Sequence, residues 1–504
     1  MVETNIKRRT TRLTANDPRI VMGLALVIAA SYLFASAFRG VWYDENWSLY
    51  FSQHDLPLHR VITDRWLHEI NPPLSFLLGW LVAPVAGDSL LPYRLTNLVP
   101  ALLLIATLIR LAGLSRSFRS LFGLLIFANP STIRYFADFR SYFGQTCCAA
   151  ALVAAAYSML ASERDLQRRD AKDLALPAIA TLVLLNLHYV GAYLSGVLLG
   201  TLITALLLAG KPRFAGAVLG VTIIGLSAAG VSYLAQHETI VSEASSISSW
   251  NYTSNSKALG MVAGVLALAI GPNLAALWGA LSGSKRAFTD GTGASGLRRF
   301  ARWAVVAILA MALAALALNF IRPALLPRYL SVLAPVAIGP IAALAAVASK
   351  EAVTWLILGN AAVLAAASGY KVAQQQKWSA GARFIAEQVR RCPGTIVHTV
   401  PHWQLEPGQP TILPNEIEMN QFAYERLGRI FGFQPEAQGS GRVSDVCPTI
   451  IWTGHYYASP PSPSWAAARV GLRISRDVAK RSHSFVLGDG MLVLFPPVRN
   501  AAAA

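Results

Sequence analysis

The sequence contains few charged residues. Asp, Glu, Lys and Arg make up 14% of its 504 residues, whereas they form about one quarter of an average soluble protein. Hydrophobic residues account for 54%. The sequence also lacks a Gly-rich phosphate-binding loop of the Walker type, which argues against an ATP-driven pump. The composition therefore excludes an ordinary soluble domain and indicates an integral membrane protein.

Uncharged stretches long enough to cross a bilayer recur along the chain before residue 371. A membrane-spanning helix needs roughly 17 to 25 apolar residues. The clear stretches are 20–38, 141–162, 174–210, 214–236, 258–284, 303–321, 329–349 and 352–370, and the weaker ones are 72–87, 95–109 and 120–133. Because 174–210 has room for two helices, residues 1–370 are predicted to form an all-α polytopic membrane domain of about 11 to 13 transmembrane helices.

Basic residues outnumber acidic ones, and their positions predict the topology. The chain has 43 Lys and Arg against 26 Asp and Glu, a net charge of +17. The basic residues concentrate in short segments beside the apolar stretches: 7–13, 116–119, 164–172, 211–213 and 285–302. Cytoplasmic loops have this composition, and because the segments lack a recognition motif, no nucleic-acid partner is expected. We expect a protein of the inner (cytoplasmic) membrane whose loop 39–71 and tail lie outside the cytoplasm.

The number of crossings is constrained by this topology. The first apolar stretch is expected to remain in the mature chain, since no small-residue cleavage site follows it. With the N-terminus inside and the tail outside, the chain must cross the membrane an odd number of times. The candidate stretches are even in number, and those between residues 72 and 133 are the shortest and richest in proline. We therefore expect one stretch in that region not to span.

The tail, residues 371–504, has a different pattern. GTIVHTV, PTIIWTG and SFVLGDGMLVLF alternate as strands do, and SAGARFIAEQVRR has helical spacing. These patterns predict a small extracytoplasmic α/β domain. Cys392 and Cys447 each precede a proline close to a predicted strand, and in an oxidising compartment they are candidates for a disulfide. Cys147 and Cys148 lie in a predicted membrane helix, where they are expected to contribute to packing.

The segment that follows the first apolar stretch, VWYDENWSLY, carries Asp44 and Glu45 between aromatic residues. Carboxylates are costly beside a bilayer, and those that persist there are commonly paired or functional. Further along the loop, apolar residues recur every fourth position among charged ones: Leu58, Ile62, Trp66 and Ile70. This pattern predicts a helix lying in the membrane interface. Carboxylates held there would suit an enzyme with a lipid substrate, and the alternative is that they only add favourable charge at a helix N-terminus.

Several short segments occur in the order found in one family of membrane enzymes. They are DE at 44–45, NPPLSFLL at 71–78, PSTIRYFADFRSY at 130–142, LHYVG at 187–191 and RPALLPRYLSVLAP at 322–335. With them the sequence resembles the GT-C superfamily of membrane glycosyltransferases, specifically the branch that contains protein O-mannosyltransferases and lipid A aminoarabinose transferases. The resemblance covers roughly residues 20–350 in architecture and does not extend to the tail.

The resemblance implies an inverting transfer of a single sugar from a polyprenyl-phosphate donor to a hydroxyl of a cell-envelope glycan or lipid, such as lipopolysaccharide, lipid A or a polysaccharide. Asp44 is the expected general base, and Glu45 is expected either to position the acceptor or to pair with an arginine. Neighbouring residues point in different directions, so this pair does not supply the two facing carboxyls, roughly 5 Å apart, of a retaining mechanism. The residues expected at the donor phosphate are Arg140, His188, Arg322, Arg328 and Tyr329.

A second group of residues is expected near the sugar or the acceptor. Its members are His68, Glu69, Asn71, Trp250 and Tyr252. The usual HPP or EKP sequence of the family is INPP here, with His68 and Glu69 slightly earlier. A divalent metal is possible if His68, Glu69 and His188 converge, which spacing alone does not show, so no metal or other cofactor is assigned.

Two other functions stay open on the sequence alone. A protein hydroxyl as acceptor would make the chain a protein O-glycosyltransferase with the same donor class. A transporter or flippase of lipid-linked sugars is expected to show internal repeats and charged residues at mid-membrane depth. No repeat is evident, and the ionisable residues gather at one face, which favours the enzyme. The expected partners are the lipid-linked sugar, membrane lipid and an acceptor, and the sequence specifies neither the sugar nor the acceptor.

Overall fold

A computed structural model describes residues 17–167, 171–241, 252–274, 276–278, 281, 294–348, 351–400, 415–437, 440–454 and 462–497. The region before residue 374 is built from helices. They are α1 Pro18–Phe38, α2 Tyr43–Phe51, α3 Leu58–Asp64, α4 Leu74–Ala86, α5 Leu90–Leu95, α6 Leu98–Arg110, α7 Arg116–Phe127, α8 Pro130–Phe136, α9 Tyr142–Ala161, α10 Ala171–Leu185, α11 Tyr189–Leu208, α12 Pro212–Ala235, α13 Asn255–Ile270, α14 Ala294–Ile321, α15 Leu333–Ala348 and α16 Glu351–Ala373. Single 3-10 turns lie at Trp66–His68, Gly271–Asn273 and Pro327–Leu330.

Within the described residues, eight helices are long and apolar enough to cross a membrane. They are Arg19–Phe38, Leu90–Arg110, Tyr142–Ala161, Tyr189–Leu208, Pro212–Ala235, Asn255–Asn273, Ser295–Ile321 and Glu351–Ala373, and shorter apolar helices lie at Leu74–Ala86 and Leu333–Val347. The expected polytopic helical membrane protein is thereby confirmed. The number is below about 11 to 13 because α4, α7, α10 and α15 are shorter helices.

Helix α9 forms the centre of the membrane region. Of its apolar span, 89% is buried, and it contacts α6, α10, α14 and α15. The span is rich in alanine, and small side chains let neighbouring helices approach closely. At its far end, the buried ammonium of Lys211 donates to the carbonyl of Met159 at 2.6 Å, which satisfies a carbonyl that the helix leaves free.

The tail contains a sheet flanked by helices. Its elements are α17 Trp378–Arg391, β1 Ile396–Thr399, α18 Glu416–Phe431, β2 Thr449–Thr453, α19 Pro463–Arg469, α20 Arg476–Arg481, β3 His483–Leu487 and β4 Gly490–Phe495. The strand order is β1-β2-β4-β3, with β1 and β2 parallel and the other pairs antiparallel. A disulfide joins Cys392, at the end of α17, to Cys447, just before β2. Cys147 and Cys148 are free thiols buried in α9.

The tail packs directly on α2. The hydroxyl of Tyr43 donates to Glu416 at 2.8 Å, and that of Tyr50 donates to Glu418 at 2.5 Å. The N–H of Trp378 donates to the carbonyl of Val41 at 3.0 Å. Residues of the tail and of the outer loop share one hydrophobic cluster, so the domain division at residue 371 stays a prediction.

Helix α4 has both of its ends on the side of the molecule that carries the tail. Phe76, in its first turns, packs in one cluster with Met419 of α18. Beyond its other end, Asp88 forms ion pairs with Arg429 at 3.0 Å and Arg426 at 3.9 Å, both on α18. Both ends of α4 thus lie against α18, and which stretch between residues 72 and 133 fails to span stays a prediction.

The outer loop differs from the expected interfacial helix. Helix α3 ends at Asp64, and a 3-10 turn at Trp66–His68 follows. The indole N–H of Trp66 donates to the carbonyl of Phe51 at 2.7 Å, which holds the ring beneath α2 in a buried position. Val61 is buried as well, whereas Ile62 is exposed. Trp66 thus packs against protein and does not share one apolar face with the exposed Ile62.

Candidate active site

Helix α2 separates the two neighbouring carboxylates. Asp44 and Glu45 lie in its first turn, and the residue before the helix, Trp42, makes no side-chain cap. Successive residues of an α-helix are rotated by roughly 100°, so the two side chains leave the helix in different directions. Glu45 is fully buried, whereas Asp44 keeps 15% of its side chain exposed.

Glu45 is held in a buried ion pair. Arg94 approaches both of its oxygens at 2.7 Å, and the N–H of Phe139 donates to one of them at 3.0 Å. The remaining donors of Arg94 reach the carbonyls of Ser36 and Arg39 at 2.7 and 2.8 Å. Burial raises the pKa of Glu45, but the cationic and N–H partners outweigh it and hold the pKa below 4.5. Pairing with an arginine is thus the role that the geometry favours, in place of a catalytic one.

A second buried pair lies close by. The guanidinium of Arg39 contacts Asp138 and donates to the carbonyl of Ala137 at 3.1 Å. Burial lowers the pKa of Arg39 to about 9. The amide of Asn97 donates to the carbonyls of Phe136 and Asp138 at 3.0 and 2.8 Å. The contacts of Arg39 hold the end of α1 against the segment after α8, and those of Asn97 hold the start of α6 against the same segment. This segment leads directly to Arg140, so the contacts fix its position.

Asp44 faces two guanidinium groups. Nη2 of Arg328 lies 2.7 Å from its carboxylate, and Nη2 of Arg140 lies 3.9 Å away. Nη1 of Arg140 donates to the main-chain carbonyl of Asp44 and to the hydroxyl of Ser48, both at 3.1 Å. The guanidinium of Arg328 also lies 5.1 Å from the ring centre of Trp42, a distance typical of a cation–π contact.

Aromatic rings line the other side of these arginines. The ring of His188 lies 4.7 Å from that of Tyr329 and 5.7 Å from that of Tyr142. Nδ1 of His188 is buried and has no hydrogen-bond partner among the described residues. Burial lowers the pKa of His188, and the charges of Arg140 and Arg328 lower it further, so the ring is neutral near pH 7 and has an unused polar atom beside two cations.

Glu69 joins this group from the outer loop. It is buried, and the side-chain amide of Asn71 donates to it at 2.6 Å. Burial raises the pKa of Glu69, and the charge of Arg140 offsets part of that rise, while Asp44 adds to it. The structure thus brings Asp44, Glu69, Arg140, His188, Arg328 and Tyr329 into one cluster on one side of the membrane region, with Asn71 at its edge.

Other expected residues are not brought into the cluster. His68 is exposed, in contrast to Glu69 and His188, and the described part of the chain contains no group of three or more His, Cys, Asp or Glu side chains arranged to hold a metal ion. Arg322 makes no ion pair with a described residue. Tyr252 is 64% exposed, and Trp250 lies outside the described residues.

Sequence reasoning missed the residues that hold the cluster in place. Arg94 directly precedes the apolar stretch 95–109, where an arginine is commonly a topological signal. Ser48 carries no distinctive motif of its own, and Tyr142 was not singled out although it ends the segment PSTIRYFADFRSY at 130–142. A signal was nonetheless present for Ser48, since residues four apart share one face of a helix and Asp44 lies four positions earlier.

No protein-family model matches the chain, and no curated protein sequence matches it. Two solved structures are similar: ArnT from Cupriavidus metallidurans bound to undecaprenyl phosphate, and the same protein in the apo state. Each is 14% identical, and the match covers 94% of this chain and 97% of that chain, with TM-scores of 0.51 and 0.49. At this identity the likeness shows the fold alone: the chain shares the fold of ArnT over nearly its whole length.

Proposed function

We propose that the protein is an inverting glycosyltransferase that moves a single sugar from a polyprenyl-phosphate donor to a hydroxyl of a cell-envelope glycan or lipid. The observation that carries the proposal is the partly exposed carboxylate of Asp44, held at 2.7 Å from Arg328 beside Arg140, in a chain that shares the fold of ArnT. The similar ArnT crystal structure, described as bound to undecaprenyl phosphate, supports the donor class. The reaction would take place at the extracytoplasmic face of the inner membrane.

Asp44 is the general base of the proposed reaction. It takes the proton of the acceptor hydroxyl while the hydroxyl oxygen forms a bond to the anomeric carbon. The bond between that carbon and the phosphate oxygen breaks, and its electron pair leaves with the lipid phosphate. Because one carboxylate acts from one side and the phosphate leaves from the other, the configuration at the anomeric carbon inverts.

Arg328 and Arg140 bind the leaving phosphate in this proposal. A guanidinium offers several N–H groups in a planar fork that suits phosphate oxygens. Negative charge develops on the phosphate as the bond breaks, and fixed donors stabilise it without reorganisation. Tyr329 and the neutral His188 lie against the same cations and would complete the donor site. Arg322 is placed at the donor only as a weaker candidate.

Glu69 and Asn71 are proposed to face the sugar or the acceptor. Their mutual hydrogen bond at 2.6 Å fixes the carboxylate in a buried position, and its raised pKa keeps more of it protonated than an exposed glutamate would be. A protonated carboxyl can donate as well as accept a hydrogen bond, which suits recognition of sugar hydroxyls. Tyr252, which is 64% exposed, is kept as a candidate for contact with the acceptor.

Turnover of synthetic polyprenyl-phosphate sugars by the purified protein in detergent tests the proposal. Wild type should transfer or hydrolyse one sugar, and Asp44→Asn should be slower by roughly 100- to 10,000-fold, the range for a lost general base. Asp64→Asn, a substitution at an exposed position of the same loop, is the matched control and should keep the wild-type rate. The anomeric configuration of the product, read by NMR, should be opposite to that of the donor.

Three other results would each redirect the proposal. Equal rates for wild type and Asp44→Asn would show that Asp44 is not the base. Transfer to a serine or threonine peptide in preference to glycan or lipid acceptors would identify a protein O-glycosyltransferase. Binding of a donor without cleavage by either protein would favour a transporter or flippase of lipid-linked sugars.

A further inference from the structure

Gln236 is a buried amide that ends α12. It is 2% exposed, and all of its hydrogen-bonding groups have partners. Its Nε2 donates to the carbonyl of Trp66 at 2.6 Å and to that of Asn71 at 3.1 Å. The hydroxyl of Tyr189 donates to its Oε1. One side chain thus connects α12 to two other segments that are far from it, and from each other, in sequence.

These three partners belong to two segments that carry the cluster described above. Trp66 and Asn71 lie on either side of Glu69, and the side chain of Asn71 donates to that carboxylate. Tyr189 directly follows His188. The amide therefore connects the loop that presents Glu69 to the helix start that presents His188.

The loop between α3 and α4 depends on such contacts because it has little regular structure. Its backbone leaves helical geometry at Arg65 and is extended at Glu69. Buried carbonyl groups in an irregular segment need a donor, and leaving one unmet is costly. Gln236 supplies two donors, and Thr239 adds a third by donating to the carbonyl of Leu67 at 3.2 Å.

Only an amide of this length meets all three requirements. It must donate twice to carbonyls and accept once from a hydroxyl. A glutamate at the same position would accept from Tyr189 but would place carboxylate oxygens against two carbonyls. A methionine fills a similar volume and can do neither. Position 236 therefore requires specific hydrogen-bonding groups, and a side chain of similar volume is not sufficient.

We propose that Gln236 is a positioning residue that fixes Glu69 relative to His188 and the arginines. The proposal rests on the proposed function, since it assigns a role in that reaction. Gln236 does not touch the reacting groups and acts through Glu69. A shift of about 1 Å in a group that binds the reacting molecules can cost about 100-fold in rate. Hydrogen bonds that prevent such a shift are therefore expected to contribute strongly to turnover.

A double-mutant cycle on the full-length protein tests the proposal. Gln236→Met should lower kcat by about 10- to 100-fold, and in a Glu69→Gln background the same change should cost no more than about twofold, because residues that act as one unit are not additive. Tyr189→Phe removes one contact and should show a smaller loss. Gln421→Met, which replaces an exposed amide on α18, is the control. Additive losses, or a wild-type kcat for Gln236→Met, would overturn the proposal.

Hydrogen–deuterium exchange of residues 65–73 provides a readout that does not depend on turnover. Gln236→Met should exchange faster there than wild type, and the control Gln421→Met should not. If wild type transfers no sugar from any donor, the proposed function fails and a positioning role in that reaction fails with it. If wild type is active but exchange in 65–73 is unchanged in Gln236→Met, the positioning proposal alone is wrong.

Discussion

Two sides of α2 each carry a carboxylate–arginine ion pair, and the two pairs differ in how far they are exposed. Glu45–Arg94, the rear pair, and Asp44–Arg328, the front pair, each have a shortest oxygen-to-nitrogen distance of 2.7 Å. Both side chains of the rear pair are 0% exposed, whereas those of the front pair are 27% exposed for the arginine and 15% for the carboxylate. Distance alone therefore does not distinguish a structural pair from a functional one.

The difference lies in what surrounds each pair. Charges taken out of water are expensive to bury, and such a pair persists only when its remaining donors and acceptors are satisfied. The rear arginine meets this condition with backbone carbonyls of 36 and 39 as well as the carboxylate. The front arginine lies over aromatic rings and next to a second guanidinium, so it can exchange a carboxylate for a phosphate. The rear pair is a structural contact of α2, whereas the front pair is the one proposed to take part in the reaction.

Breaking the rear pair should have the largest effect. Glu45→Gln leaves the buried charge of Arg94 without its partner, and such changes cost about 3–5 kcal/mol of the free energy of unfolding. Thermal or denaturant unfolding in detergent measures the loss. The double variant Glu45→Gln/Arg94→Met removes both charges and should regain part of the stability. A wild-type midpoint for the single variant would contradict the assignment of the rear pair.

Breaking the front pair should leave stability nearly intact and reduce activity. Arg328→Met removes a charged hydrogen-bond donor to the donor phosphate, worth about 1.5–3 kcal/mol, and kcat/KM should fall by roughly 10- to 150-fold. Arg60→Met is the matched control, because Arg60 is an exposed arginine of the outer loop with no proposed role in the reaction. Equal losses for the two variants would show that the front pair has no special role.

The smallest expected effects are on the pH dependence of stability, to which Glu45 and Glu69 should contribute with opposite sign. The pKa of Glu45 is below 4.5 in the folded protein, so its contribution is present above that value and is lost as the pH falls through the folded pKa. The pKa of Glu69 is above 4.5, so stability falls as the pH rises from 4.5 through its folded pKa.

Unfolding midpoints measured across this range for wild type and Glu69→Gln check the second statement. The variant should lack the fall in stability that the wild type shows as the pH rises from 4.5. An unchanged slope would mean that Glu69 ionises in the folded protein as it does in the unfolded chain.

Much of the membrane region could be predicted because uncharged stretches carry a strong signal. The packing of α4 was the exception, since the apolar composition of its 13 residues does not show which element they contact. Its placement depends on Asp88 and Arg429, which are 341 residues apart. Contacts at that separation leave no periodic trace in the sequence.

The front of the site was predictable from its motifs, and the rear was not. Asp44, Arg140 and Arg328 stand in short segments that resemble a family pattern. Arg94 occurs once, beside an apolar stretch, where many arginines only mark topology. His68 was placed with Glu69 because it is adjacent, but sequence spacing does not give the direction of a side chain in an irregular turn, and His68 is exposed.

The packing of α2 against the tail also has a consequence for how the protein is made. The partners Tyr43 and Glu416 are 373 residues apart, and Tyr50 and Glu418 are 368 apart. During synthesis the N-terminal part of a chain emerges first, so the helix that carries Asp44 leaves the ribosome long before α18. It is therefore among the first elements to be translated and among the last to receive its final contacts. A partly synthesised chain would have the proposed base without its support, and turnover would begin only when the whole chain is in place.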